Sequence, residues 1–140
     1  MAALKQLVSE WAYEVDMNAG LSIEEADVLT KDCRCNLLDQ WIEGRDAVAK
    51  FYKDVHAKAQ AGDGSPVIRQ LVTNFRVYFD SATEAKVEFN LLLFMKIGTV
   101  PFSDYCEPIE VADVHMECRR EADGHWRISK SIGDRIFRRD

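Results

Sequence analysis

The 140-residue chain is 47% hydrophobic and 10% aromatic, which suits one globular domain over residues 1–140 with a real core. A net charge of −6 and a pI near 5.1 argue against nucleic acid as a partner, because phosphate binding needs a surplus of Lys and Arg on one face and the basic tail "DRIFRRD" is too short to supply it. No apolar run approaches the ~18 residues of a membrane span, and the start has acidic residues within its apolar stretch and no cleavage-site pattern, so a cytoplasmic protein with no membrane partner is expected.

Leu4, Leu7, Val8, Trp11 and Val15 recur at the spacing of one helix face and predict a first helix from about Ala3 to Asn18, ending near Gly20. Asp16 sits at the edge of that stripe, one turn beyond Tyr13. A helix-end Asp is ordinarily solvated, and the macrodipole disfavours an anion there. A residue placed against local preference points mildly to function. Next, "SIEE" reads as a capping box, Ser22 with Glu25, opening a short second helix through Leu29 that forms a hairpin with the first.

"CRCNLLDQWIEG" has β-prone alternation and ends in a turn, predicting a first strand or a small hairpin. Alternation puts Cys33 and Cys35 on one strand face. Together with Cys106 and Cys118 they read as small buried residues in a reducing compartment, with neither zinc-knuckle nor CxxC spacing, so no metal and no cofactor are expected. Ala47, Val48, Phe51, Tyr52, Val55 and Ala59 then mark a third helix, closed at Gly62.

From Val67 the hydrophobic period falls from about 3.6 to about 2, in segments 67–79, 85–97, 106–120 and 125–137 separated by turn-forming residues. Helices first and a meandering sheet afterwards predict an α+β domain with the helices on one sheet face. In segment 85–97, Ala85, Val87, Phe89, Leu91, Leu93 and Met95 form one apolar face. Leu92 and Phe94 make the opposite face apolar as well, and a sheet buried on both sides predicts a homodimer.

The order and spacing of "YEVD", "EGRDAVAKFYKD", "RQLVTNFRVYF" and "ADGHWRISK" resemble the SnoaL-like branch of the nuclear transport factor 2-like superfamily over nearly the whole chain. The resemblance implies a cone-shaped α+β barrel, three N-terminal helices packed in a curved, mostly antiparallel sheet around a deep apolar pocket, with the outer sheet face forming a dimer. In relatives such as scytalone dehydratase, bile acid 7α-dehydratase and hexachlorocyclohexane dehydrochlorinase, a pocket Asp and His remove a proton so that water or chloride can leave. The Asp of the latter two corresponds to Asp16, which the resemblance therefore turns into the pocket as general base. The family His falls on Gln70, which cannot accept a proton at neutral pH. Gln70 either orients a substrate or Asp16, or is an exposed strand residue.

Of the histidines, His56 reads as a solvated helix residue within reach of the pocket mouth, His115 as outer-face and His125 as turn. The apolar faces and the resemblance together nominate Tyr13, Cys35, Phe51, Tyr52, Leu91, Leu93, Met95 and Ser131 as pocket lining, beside Gln70. Trp11, Trp41 and Trp126 read first as packing residues, although Trp11 or Trp41 could border a ligand. Two functions are then open: a small cofactor-independent enzyme of dehydratase, isomerase or cyclase type acting on a hydrophobic small molecule, or a noncatalytic ligand-binding or dimerisation module. The His-to-Gln departure favours the second.

Overall fold

In the computed structural model, which describes residues 1–139, the chain runs α1 (Ala2–Asn18), β1 (Leu29–Leu37), β2 (Gln40–Glu43), α2 (Arg45–Ala61), β3 (Val67–Phe79), β4 (Glu84–Lys96), β5 (Glu110–Arg120) and β6 (Trp126–Arg138). The six strands form one mixed sheet in the order β2-β1-β6-β5-β4-β3. Every neighbouring pair is antiparallel except β1 with β6, a parallel pair that returns the first strand to the end of the meander.

The α+β class and the mostly antiparallel sheet agree with the sequence reading, but there are two helices and not three. Residues 20–27 form consecutive turns, Ile23 N–H to Gly20 C=O and Ala26 N–H to Ser22 C=O among them. The Ser22 N–H expected to meet Glu25 is instead taken by Glu14 Oε2 at 2.9 Å, while Glu14 Oε1 accepts from Asn18 Nδ2 at 2.8 Å. A carboxylate from α1, only 3% exposed, thus organises the turn from outside, and Asp27 at φ 58° ends it before a helix can propagate.

The core lies between the helices and one face of the sheet. Leu4, Leu7, Val8 and Ala12 of α1 are buried there with Val87, Phe89 and Leu91 of β4 and Val114 and Met116 of β5. Trp11 and Phe75 both pack on Phe89, with ring centroids 6.3 and 5.5 Å away. Between Thr73 and Arg76, β3 carries one residue more than β4, and Asn74 takes the left-handed conformation at φ 57°. This bulge bends the strand and switches its inward set from Ile68, Gln70 and Val72 to Phe75 and Val77. Further register shifts in β6 bend the other side of the sheet.

Candidate active site

The inward positions at one end of β5 and β6 are small: Ala112, Ser131 and Gly133. Side chains this short leave the space between sheet and helices unfilled, and a cavity of about 270 Å³ opens there. Trp11 and Val15 of α1, Phe51, Tyr52 and Val55 of α2, and Leu91 of β4 supply apolar walls, and Gln70 of β3 is a polar contributor. At its mouth Arg135 donates from Nε to Glu110 Oε1 at 2.7 Å and from Nη1 to Asp39 Oδ2 at 2.9 Å. Asp39 and Leu38 form the β1–β2 turn, both at positive φ as a two-residue hairpin of this kind requires.

Asp16 lies in the last turn of α1, where the Gln70 backbone N–H donates to its Oδ2 at 2.9 Å. Its other oxygen is buried without a partner, and so is the side-chain oxygen of Gln70. Burial raises the Asp16 pKa, against the smaller opposing effects of the Gln70 N–H and the Arg69 charge. Asp16 and Gln70 thus meet through the Gln70 backbone and not through its side chain. Asp16 does not line the larger cavity: it lines an adjoining crevice of about 130 Å³ between the end of α1, α2 and the start of β3. Val15, Tyr52 and Val55 line both spaces.

Of the nominated residues, Phe51, Tyr52, Gln70, Leu91 and Ser131 line the larger cavity together. Cys35 lies deeper, beside Tyr52 and Ser131 at a void of about 20 Å³. Hydrogen bonding with the Cys33 thiol, and burial after it, push the Cys35 thiol up, and burial pushes that of Cys118 up to about 12, so both are inert thiols. Tyr13 is misplaced by the sequence reading: it is 60% exposed, because two positions beyond Trp11 is the far side of a helix whose inward face runs through Leu4, Leu7, Val8 and Trp11. Leu93 and Met95 share the face of Leu91 but line neither cavity, and Met95, one residue before the end of β4, is 38% exposed.

Sequence reasoning missed Glu110, Arg135 and Asp39, whose meeting depends on sheet register that periodicity does not fix, and it underrated His56. That imidazole lines the Asp16 crevice, with Nδ1 3.1 Å from Ser65 Oγ. His115 sits on the outer face between Glu88 and Asp134, and His125 is exposed in the β5–β6 turn, both as expected. Among the described residues no cluster of His, Cys, Asp and Glu has metal-binding geometry.

The SnoaL-like domain profile matches residues 1–132. The chain belongs to the SnoaL-like family. Solved structures with the same fold include an NTF2-like protein with a cystatin-like fold from Novosphingobium aromaticivorans, 16% identical with a TM-score of 0.74, covering 96% of this chain and 80% of that one. A provisionally assigned scytalone dehydratase from the same organism is 20% identical with a TM-score of 0.73, over 100% and 86% of the two chains. A Catenulispora acidiphila protein in complex with S-DNPA is 17% identical with a TM-score of 0.74, over 96% and 91%. No curated protein matches this SnoaL-like sequence. No helix among the described residues is long and apolar enough to cross a membrane.

Proposed function

We propose that this SnoaL-like protein is a small cofactor-independent enzyme of dehydratase, isomerase or cyclase type, acting on a hydrophobic small molecule with Asp16 as general base. The observation that carries the reading is the state of the Asp16 carboxylate. One oxygen is fixed by a backbone N–H, the other is buried and unpartnered, and apolar walls raise its basicity. Such a group can take a proton from carbon beside a carbonyl, a redox-neutral step. Gln70, with its unpartnered oxygen, accepts a hydrogen bond from a ligand hydroxyl in the same reading. Phe51, Tyr52, Leu91 and Ser131 hold the apolar body of the substrate. The relatives' ligand and assigned activity point the same way by analogy.

The experiment is a turnover screen of hydrophobic β-hydroxycarbonyl compounds with wild type and Asp16→Asn. Loss of turnover by ~10²–10⁴-fold in the variant supports the reading. Ligand binding with full turnover in Asp16→Asn, or binding with no turnover of any candidate by wild type, favours the noncatalytic module instead.

In the same reading the protein is a cytoplasmic homodimer. Its four cysteines are all unpaired, which suits a reducing compartment. On the outer sheet face Leu71 pairs with Leu92, Leu92 with Val111 and Val111 with Phe137, an apolar row across four strands that a second copy would cover.

A further inference from the structure

We propose that His56 is the acid–base partner of Asp16 in this chain, and that the reacting end of the substrate enters the crevice these two side chains line. The inference rests on the enzyme reading above and extends it. Gln70, which meets Asp16 through its backbone N–H, cannot accept a proton at neutral pH; His56, in the crevice that Asp16 lines, can.

Asp16, Tyr52, His56 and Ser65 are the polar side chains of that crevice, set among Ala19, Ala59 and Ile68. Because Val15, Tyr52 and Val55 belong to both spaces, a substrate whose apolar body fills the larger cavity has a short path to the crevice. The imidazole is held for use in both charge states. Gln60 Nε2 donates to Ser65 Oγ at 2.8 Å, leaving the Ser65 hydroxyl proton for His56 Nδ1 at 3.1 Å. Neutral His56 then carries its proton on Nε2, and when the ring is protonated the hydroxyl can turn and accept from Nδ1. The titratable and charged groups facing this corner are Asp16 and Tyr52, with Arg69 acting on Asp16 from β3.

With a β-hydroxycarbonyl substrate the step balances without a further reactant. Asp16 takes the proton from the carbon beside the carbonyl, and the C–H electron pair moves to the carbonyl oxygen as an enolate. As the enolate collapses a C=C bond forms, the C–O bond to the β-hydroxyl breaks, and protonated His56 gives that oxygen a proton, releasing water. Asp16 ends protonated and His56 neutral, and one proton passed from the first to the second resets the site.

The test reads the pair in the free protein by two-dimensional NMR of the histidine rings at fixed pH, assigned with His56→Gln. Asp16→Asn should displace the His56 ring resonances, because the two side chains line one crevice, and should leave those of His125 in place. The reciprocal variant, His56→Gln, should displace the Asp16 carboxyl carbon resonance, and it keeps the question answerable if Asp16→Asn folds poorly. Unmoved resonances in the variants that fold overturn the pair, and that result needs no substrate. Once a substrate is found, His56→Gln should lower kcat ~10²-fold and remove one limb of the pH profile with KM little changed. A wild-type profile in His56→Gln overturns the proposal while leaving Asp16 as base, whereas full turnover in Asp16→Asn overturns both.

Discussion

Asp16 carries a cost in stability that its pKa makes explicit. Its folded pKa lies above the ordinary value of 3.8 because burial disfavours the charged form, so between those two values the folded protein binds more protons than the unfolded one. Stability from this group therefore falls as pH rises through that window and stays lower at neutral pH. Asp16→Asn keeps the shape and can still accept the Gln70 N–H through its side-chain oxygen, so it should raise the melting temperature at pH 7 and flatten the dependence on pH above 4. A variant that melts lower at pH 7 would contradict the desolvation argument. Nearby, Gly20 sits at φ 73°, and a Cβ there would lie 2.4 Å from the Tyr52 ring. Gly20→Ala should cost about 1–3 kcal/mol in a denaturant titration, through the left-handed backbone and the displaced ring. Because Tyr52 lines both spaces, the same variant should weaken ligand binding.

The cavity is a property of the elements, and the sequence disclosed the elements better than it disclosed their meeting points. α1, α2 and the four long strands were legible because each is eleven or more residues long and carries its period through most of that length, even where a bulge shifts the phase in β3 and β6; β5 starts at Glu110, four residues after its expected start. The 20–27 segment was not, because a capping box is a local signal and Glu14, eight residues upstream, competes for the same Ser22 N–H. Asp16, Gln70, Phe51, Tyr52, Leu91 and Ser131 were nominated from pattern and resemblance, whereas the Arg135 network depends on bulges no periodicity reveals. Gly133 turns this geometry into a prediction. Its φ is not positive, and an added Cβ would make ordinary contacts at 3.9 Å with Ala112 and Val114, so a larger side chain fits the backbone and projects into the cavity. Gly133→Leu should fold, shown by an unchanged circular dichroism spectrum, and should bind an apolar ligand at least ~10-fold more weakly as occupied volume replaces ligand contacts. Retained affinity would place the ligand elsewhere.

At the scale of the whole molecule two surfaces hold distant parts of the chain together or leave them open. Arg127 at the far end of the sheet, 8% exposed, donates to both oxygens of Asp27 and to Asp123 and Glu121, tying the turn before β1 to the β5–β6 hairpin. The guanidinium holds Asp27 and Asp123 below the ordinary 3.8, so their contribution is complete above that value and fades as pH falls through the folded pKa values. Arg127→Gln should therefore melt lower than wild type at pH 7, with the two converging towards pH 2. On the outer sheet face the Leu71, Leu92, Val111 and Phe137 row is bordered by a polar one, in which Asn74 donates to Asn90 at 2.8 Å and Asn90 to Asp113 at 2.7 Å. Leu71 and Phe137 are 51% and 69% exposed in the single chain, and two-fold pairing of such a row buries each side chain with a gain of roughly 1.5–3 kcal/mol. An apolar core rimmed by amides and a carboxylate has the composition of an interface. Light scattering should give a dimer mass at micromolar concentration for wild type. Leu92→Glu, on the outer face of β4 and away from both cavities, should give a folded monomer, since a symmetric contact would bury two like charges near each other. Wild type found as a monomer, or Leu92→Glu still a dimer, would remove the outer face from the assembly and leave that apolar row without a partner.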